Sequence, residues 1–402
     1  MKAFVLAAGR GGNLHPFNAT RPKSMLPISG YYNLEKILNQ LKVASSSDIH
    51  IIVGHRKEKI QKYFGRGHNL GISITYHYQE SPNGIGDALL RARDIINPNE
   101  YFLLAYSDIL ALSNIFSHTL QTFNLSNAPV ATICLPSSSK FFGNVYLDEE
   151  MRITRIVEKP QKAGLGNYVL AGVFVLPGSF LNLLEEKQGS MEEALDRLIE
   201  TDRLQASIWE KGWIDIGFPW DILTANQMVM DTWKEAIISR SVQFRGAVRL
   251  EGPVHIQEDV IVESGTTIQG PCYIGAGSFI GHNALLRKYT SLGPGTVIGF
   301  GVELKNCVLL GHSKVGRLSF IGDSVVGENV YLGPGIVTVN GNLDGSLIRI
   351  KLNDLVQETG LKKLGTFFGD GAYVGAGHTL QAGTIIRTET TIPPHYSFLP
   401  EE

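Results

Sequence analysis

A chain of 402 residues exceeds what one hydrophobic core usually organises, so two domains are expected. Its 36 basic and 38 acidic side chains nearly cancel, which removes the global field that would recruit nucleic acid or an anionic membrane and favours small-molecule partners. Cys134, Cys272 and Cys307 lie too far apart for a zinc site or a disulfide framework, and the apolar run Ala3 to Ala8 is too short for a signal peptide. A cytoplasmic, unexported protein with no membrane span is the expectation.

From the amino terminus to about Asn226, short apolar runs alternate with helix-like segments: KAFVLAAG, LEKILNQLKVA, DIHIIVGH and KEKIQKYF. That alternation predicts strand and helix units wound into a mostly parallel sheet, with a first domain over 1–226. The first run breaks into LAAGRGGNLHPF, a glycine-rich turn. A strand entering such a turn is a ready phosphate cradle, because glycine lets backbone amides approach an anion closely. The pattern fits neither the P-loop, whose Lys-Ser or Lys-Thr is missing, nor the dinucleotide fingerprint, whose last glycine is missing. A tight turn that binds nothing reads equally well at this point.

The segment QMVMDTWKEAIISRSV predicts a linker helix over 227–245. Beyond it glycine becomes frequent and an aliphatic residue recurs at every sixth position: Ile256, Val262, Ile268, Ile274, Ile280, Leu286, Leu292, Ile298, Leu304, Leu310. A six-residue period with small residues following, as in IGAGSF and LGPGTV, predicts a parallel β-helix over 246–402, each aliphatic side chain pointing into a triangular prism. A β-sandwich would place its turns every 8–12 residues instead. The register slips between Leu310 and Val326 and resumes at Leu332, which predicts an inserted loop there. A second interruption, around 340–365, contains the helix-compatible LNDLVQETGLKK.

The stretch LAAGRGGNLHPFNATRPKSMLPI resembles the signature of the sugar-1-phosphate nucleotidylyltransferases. The resemblance continues in chain order through QESPNGIGDALL, LLAYSDIL, FGNVYLDEEMRITRIVEKP, NYVLAGVFV and WIDIGFPWDILTAN. It implies an α/β, Rossmann-like domain that joins a nucleoside triphosphate to a sugar 1-phosphate and releases pyrophosphate, with UTP or dTTP and a glucose- or N-acetylglucosamine-type sugar as first candidates. The implied nucleotide contacts are Leu6, Ala7, Ala8, Gly9, Gly11, Gly12, Asn13 and Lys23, with Gln79 and Gly84 reading the base. The implied sugar-phosphate contacts are Gly143, Glu158, Lys159 and Gly172. Asp108 and Asp215 would hold Mg²⁺, and Lys23 and Lys159 would neutralise phosphate charge. Two highly charged anions must meet, so neutralisation and alignment are the protein's task.

The family's loop usually carries an arginine where this chain has Asn13, and a neutral amide cannot offset phosphate charge. That motivates a competing expectation: a binding or regulatory homologue that has lost turnover, unless Arg10 or Arg21 substitutes. Fusion to a left-handed β-helix is similar to the bifunctional, archaeal-type sugar-1-phosphate nucleotidylyltransferase/acetyltransferases, most closely around KVGRLSFIGDSVVGENVYLGPG and GLKKLGTFFGDGAYVG. There the acetyltransferase base is a histidine followed three residues on by tyrosine. This chain has Arg317 and Phe320, and arginine stays protonated. Arg287, Lys305 and Asn340 match the rest of that acceptor site, and His312 is a candidate replacement base. Acetyl-CoA enters only if that second site is active. Otherwise the β-helix is expected to be an oligomerising scaffold, in a trimer or a multiple of it.

Overall fold

The computed structural model describes residues 1–135, 144–157, 168–201, 203–352 and 355–395. It divides into two compact units, and the division is not a single cut. The first unit comprises Met1–Arg10, Arg21–Leu26 and Tyr32–Ile216; the second comprises Gly11–Thr20, Pro27–Tyr31 and Gly217–Glu402.

In the first unit the described residues form a nine-stranded, Rossmann-like sheet. Its heart is parallel: Ala3–Ala7 lies between Asp48–Val53 and Tyr101–Tyr106, with Ser73–Tyr78 beyond. Tyr168–Pro177 joins antiparallel to Tyr101–Tyr106. Strand alternation splits the core into two layers. Ala3, Val5 and Ala7 face the helix Asn33–Val43 through Leu34, Ile37, Leu38 and Leu41. Phe4 and Ala8 face the opposite layer, where Leu181, Leu184, Leu195 and Leu198 pack. Both faces are covered, which is why these strands read as unbroken apolar runs rather than alternating ones.

In the second unit three parallel sheets, of eight, eight and seven strands among the described residues, form the walls of a left-handed β-helix. Ile256, Ile274 and Leu292 stack on one wall at intervals of 18 residues, and the repeated aliphatic positions fill one continuous core. Burying each such side chain is worth roughly 1.5–3 kcal/mol.

Four sequence expectations change here. The linker helix ends early: the helix is Asp221–Met230, and Ile237–Ile238 already pairs with His255 and Ile256 as the first β-helix strand. Trp233 stacks on His255 with ring centroids 3.6 Å apart, fixing the entry. The slip after Leu310 is not an inserted loop. Leu292 pairs with Leu309 rather than Leu310, so the coil shortens by one residue, and Leu309 pairs with Val326 at the same shortened spacing. The two short turns are made by Asn306 and Asp323, both left-handed at φ 45° and 48°. The insertion is not helical either: Arg349–Leu352 pairs antiparallel with Leu355–Glu358, its Ile350 and Leu352 buried on one face.

The fourth change concerns the glycine loop, expected wholly within the first domain. Gly11–Thr20 and Pro27–Tyr31 belong to the β-helix unit instead. Phe17 packs edge-on against Phe367 at 6.4 Å, Thr20 donates to Asp370, and Thr388 donates to the Pro16 carbonyl at 3.3 Å. Ser29 donates to Asn226 at 2.8 Å. Gly30 is left-handed at φ 92°, and a Cβ there would overlap the Tyr273 ring at 2.2 Å, so this close approach demands glycine. No helix among the described residues is long and apolar enough to cross a membrane.

Asp323 braces the short turns: it accepts from Asn306 at 2.7 Å and Asn340 at 2.6 Å, with the Lys305 ammonium 3.4 Å away. Asp323→Ala strands these donors and places alanine at a left-handed position, so a loss of about 2–4 kcal/mol is expected. Thermal melting of the full chain checks it. A curve superimposable on wild type would remove Asp323 from the account.

Candidate active site

Around Ala3–Ala7 the sheet order reverses, with Asp48–Val53 on one side and Tyr101–Tyr106 on the other. The crevice outside the carboxyl ends of strands at such a point is where open α/β sheets bind ligands. The glycine turn leaves from this end. Ala7 and Ala8 are buried, Leu6 half-buried, and a side chain on Gly9 would meet nothing within 4 Å. The neighbouring strand leads to Gly54, where a Cβ would sit 2.7 Å from the Ala8 carbonyl oxygen; glycine there lets the turn pass. Gly11 is left-handed at φ 60° and starts a 3₁₀ turn over Gly12–Leu14 that exposes Gly12 and Asn13.

Asp108 lies just past the end of Tyr101–Tyr106, beside this turn, because the Ser107 N–H donates to the Leu6 carbonyl at 3.3 Å. Asp215 ends the strand Trp213–Asp215, which pairs antiparallel with Ile109–Ala111, Asp215 opposite Ile109. The Ile216 N–H donates to the Asp108 carbonyl at 2.9 Å. Two residues more than a hundred positions apart are thereby locked into one register. Both carboxylates meet one cation: the Lys23 ammonium is 2.7 Å from Asp108 and 3.4 Å from Asp215.

Despite its burial, the Lys23 ammonium is held well above its ordinary pKa by these two carboxylates. Burial, and then the charge of Asp108, push the Asp215 carboxyl up to about 6, against the pull of Lys23. Asp108 and Asp215 retain 28 % and 30 % of their side-chain exposure, so a ligand can reach them. Two converging carboxylates are hard oxygen donors, and Mg²⁺ binds one or two of these together with phosphates and water. Among the described residues no group of three or more His, Cys, Asp or Glu is placed for a metal. Asp108 and Asp215 are the donors that would hold such an ion.

Gln79 and Gly84 are brought together directly. Buried Gln79 donates from Nε2 to the Gly84 carbonyl at 3.1 Å and to Asp87 at 2.7 Å, and Asp87 pairs with Arg91 at 2.8 Å. Gly84 adopts φ 107° with open space where a side chain would stand. Gly172, left-handed at φ 76°, lies at a register shift of its strand; a Cβ there would come within 3.1 Å of Ile109 and Tyr106, on either side of Asp108. Gly143, Glu158 and Lys159 lie outside the described residues. Nothing in the motif spacing marks Asn33, the first residue of its helix, yet its side chain is only 2 % exposed and faces the Asp108 turn.

On the β-helix the expected second-site residues share one wall but are paired internally. Arg287 meets Glu303 at 2.8 Å, Lys305 and Asn340 meet Asp323, and Phe320 packs in line with Glu303 and Val337. Arg317 is exposed. His312, the candidate replacement base, sits on another edge of the prism, stacked over Gly295, while Lys305 flanks the Asn306 edge.

The first unit is an open α/β sheet with two aspartates converging on a lysine at its switch point, and the second unit is a β-helix. The chain belongs to the nucleotidyl transferase family, whose model matches residues 2–232; a GMPPB C-terminal domain model matches 268–393. It is 32 % identical to a bifunctional sugar-1-phosphate nucleotidylyltransferase/acetyltransferase of Sulfurisphaera tokodaii, over 98 % of this chain and 96 % of that one. It is also 32 % identical to a bifunctional protein GlmU of Methanococcus maripaludis, over 98 % and 93 %. In fold it resembles a putative glucose-1-phosphate thymidylyltransferase of Bacillus anthracis, with a TM-score of 0.53, 22 % identity, and coverage of 57 % of this chain and 95 % of that one. The chain is thus a sugar-1-phosphate nucleotidylyltransferase-type enzyme.

The raised Asp215 carboxyl makes stability depend on pH. Its folded value near 6 exceeds the ordinary 3.8, so its ionised form costs stability at pH values above 6, and this cost fades as pH falls toward 3.8. Asp215→Asn should therefore melt higher than wild type at pH 8, the gap closing between about pH 6 and pH 4. Melting curves across that range check it; a variant less stable at pH 8 would contradict the assignment.

Proposed function

We propose that the chain transfers a nucleotidyl group from a nucleoside triphosphate, with UTP or dTTP first in line, to a glucose- or N-acetylglucosamine-type sugar 1-phosphate. A sugar-phosphate oxygen attacks the α-phosphorus; the bond from that phosphorus to the bridging oxygen of the β-phosphate breaks, and pyrophosphate leaves. The observation that carries the reading is the convergence of Asp108 and Asp215 on Lys23 beside the glycine turn.

The chain's own groups divide the work. The open backbone at Gly9 and Gly12 leaves room for phosphate oxygens. Lys23 holds the two carboxylates together and is the fixed positive charge of this cluster. Asp108 and Asp215 are the residues that would hold Mg²⁺. Bound there, the ion would neutralise triphosphate charge and align the α-phosphate. Gln79, tied to Gly84, shapes the loop that would face the base.

A second reading, a homologue that binds without turning over, rests on exposed, neutral Asn13 where a cation is expected. Acyl transfer with acetyl-CoA is the weakest reading, because Lys305 and Asn340 are engaged by Asp323 and His312 lies on a different edge.

Pyrophosphate release, measured over a panel of triphosphates and sugar 1-phosphates with MgCl₂, separates these readings. At least one pair should turn over, and Asp108→Asn should lose roughly a hundredfold or more. No pair above that variant's rate would reject nucleotidyl transfer. Asn13→Arg should raise the rate roughly tenfold or more if the loop lacks its cation; an unchanged rate would mean that another basic side chain already serves.

A further inference from the structure

Three consecutive carbonyls carry the Asp108 turn, and each has a donor. The Asp108 carbonyl accepts from the Ile216 N–H at 2.9 Å. The carbonyls on either side, Ser107 and Ile109, both accept from Asn33 Nδ2, at 3.0 and 2.9 Å. The backbone N–H of Asn33 meanwhile donates to the Leu26 carbonyl at 3.2 Å, and the Leu26 N–H donates to the Lys23 carbonyl at 3.3 Å. One residue therefore grips both limbs of the ion cluster, the Lys23 turn with its main chain and the Asp108 turn with its side chain.

The amide orientation is settled by chemistry, since both partners of Nδ2 are carbonyls and only an NH₂ can serve them. Among the described residues Asn33 Oδ1 is buried with no hydrogen-bond partner. A leucine would fill the same helix position without that orphan oxygen, whose burial costs stability. An asparagine there is explained by what its two donated bonds hold. Helix formation does not account for it: Asn33 opens the helix, but its Oδ1 accepts no backbone N–H and so caps nothing, and Leu34, Ile37, Leu38 and Leu41 already anchor the helix in the core.

We propose that Asn33 is a positioning residue for nucleotidyl transfer: by clamping the carbonyls that flank Asp108 while anchoring the Lys23 segment, it sets the separation between the Asp108 carboxylate and the Lys23 ammonium. The inference rests on the function proposed above. It acts through Asp108 and requires no contact with substrate.

The test compares wild type, Asn33→Leu and Asn33→Ser for kcat, sugar 1-phosphate KM and the MgCl₂ concentration giving half-maximal rate. It also follows hydrogen–deuterium exchange of the free proteins. Displacement of a reacting group by about 1 Å can cost on the order of 10²-fold. Asn33→Leu should approach that loss in kcat and need several-fold more MgCl₂, with the sugar 1-phosphate KM little changed and Asn33→Ser, which keeps one donor, in between. Exchange should quicken around 107–109 and 23–26 while Asp48–Val53 stays as protected as in wild type. A folded variant with wild-type kcat, MgCl₂ requirement and exchange overturns the inference. If Asn33→Leu loses protection everywhere, Asn33→Ser is judged by the same criteria. A wild type with no turnover for any pair defeats the proposed function instead, and the exchange pattern then decides the clamp alone.

Discussion

Two carboxylates in a half-buried crevice repel each other and lose hydration, and the site exists only because something holds them together. In this chain the holding is done twice over. The Lys23 ammonium supplies the counter-charge, and the backbone ladder between Ile109–Ala111 and Trp213–Asp215 fixes the geometry. The residual strain shows in the elevated Asp215 carboxyl, which Lys23 offsets only in part.

These groups were legible through the ordered family resemblance, not one by one, and the sheet shows how the aspartates come together. Asp108 follows a buried strand and Asp215 ends a short one, both at the edge where the strand order reverses, so each stands at the close of an apolar run. Lys23 is marked by the proline before it, and Gln79 and Gly84 by a loop whose fold their own hydrogen bond completes. Asn33 left no such mark. Its partners are backbone carbonyls 74 and 76 residues away, and a carbonyl has no residue identity for a pattern to reveal.

The β-helix was legible through its period and illegible at its turns. Leu309 and Leu310 are both buried and aliphatic, so the register shift hides between two equivalent letters, and only the strand pairing shows which one faces the core. In the insertion, local composition suits a helix, yet Ile348, Ile350 and Leu352 are buried at every second position and pull the chain into a hairpin. After Met230 the residues can extend a helix, but Ile237 and Ile238 gain more by pairing with the first complete coil. In each case long-range pairing overrode a local preference, as tertiary context routinely does.

The threading of the first thirty residues has a consequence for the ancestry and engineering of such chains. Phe17, Thr20 and Ser29 come from the amino-terminal end, but their partners Phe367, Asp370 and Asn226 belong to the carboxyl-terminal half. A gene shortened at Ile216 would keep the crevice's aspartates and remove Asn226, Phe367 and Asp370, the partners of Ser29, Phe17 and Thr20. Swapping the prism for another repeat array would therefore require a matching seat for Phe17 and Thr20.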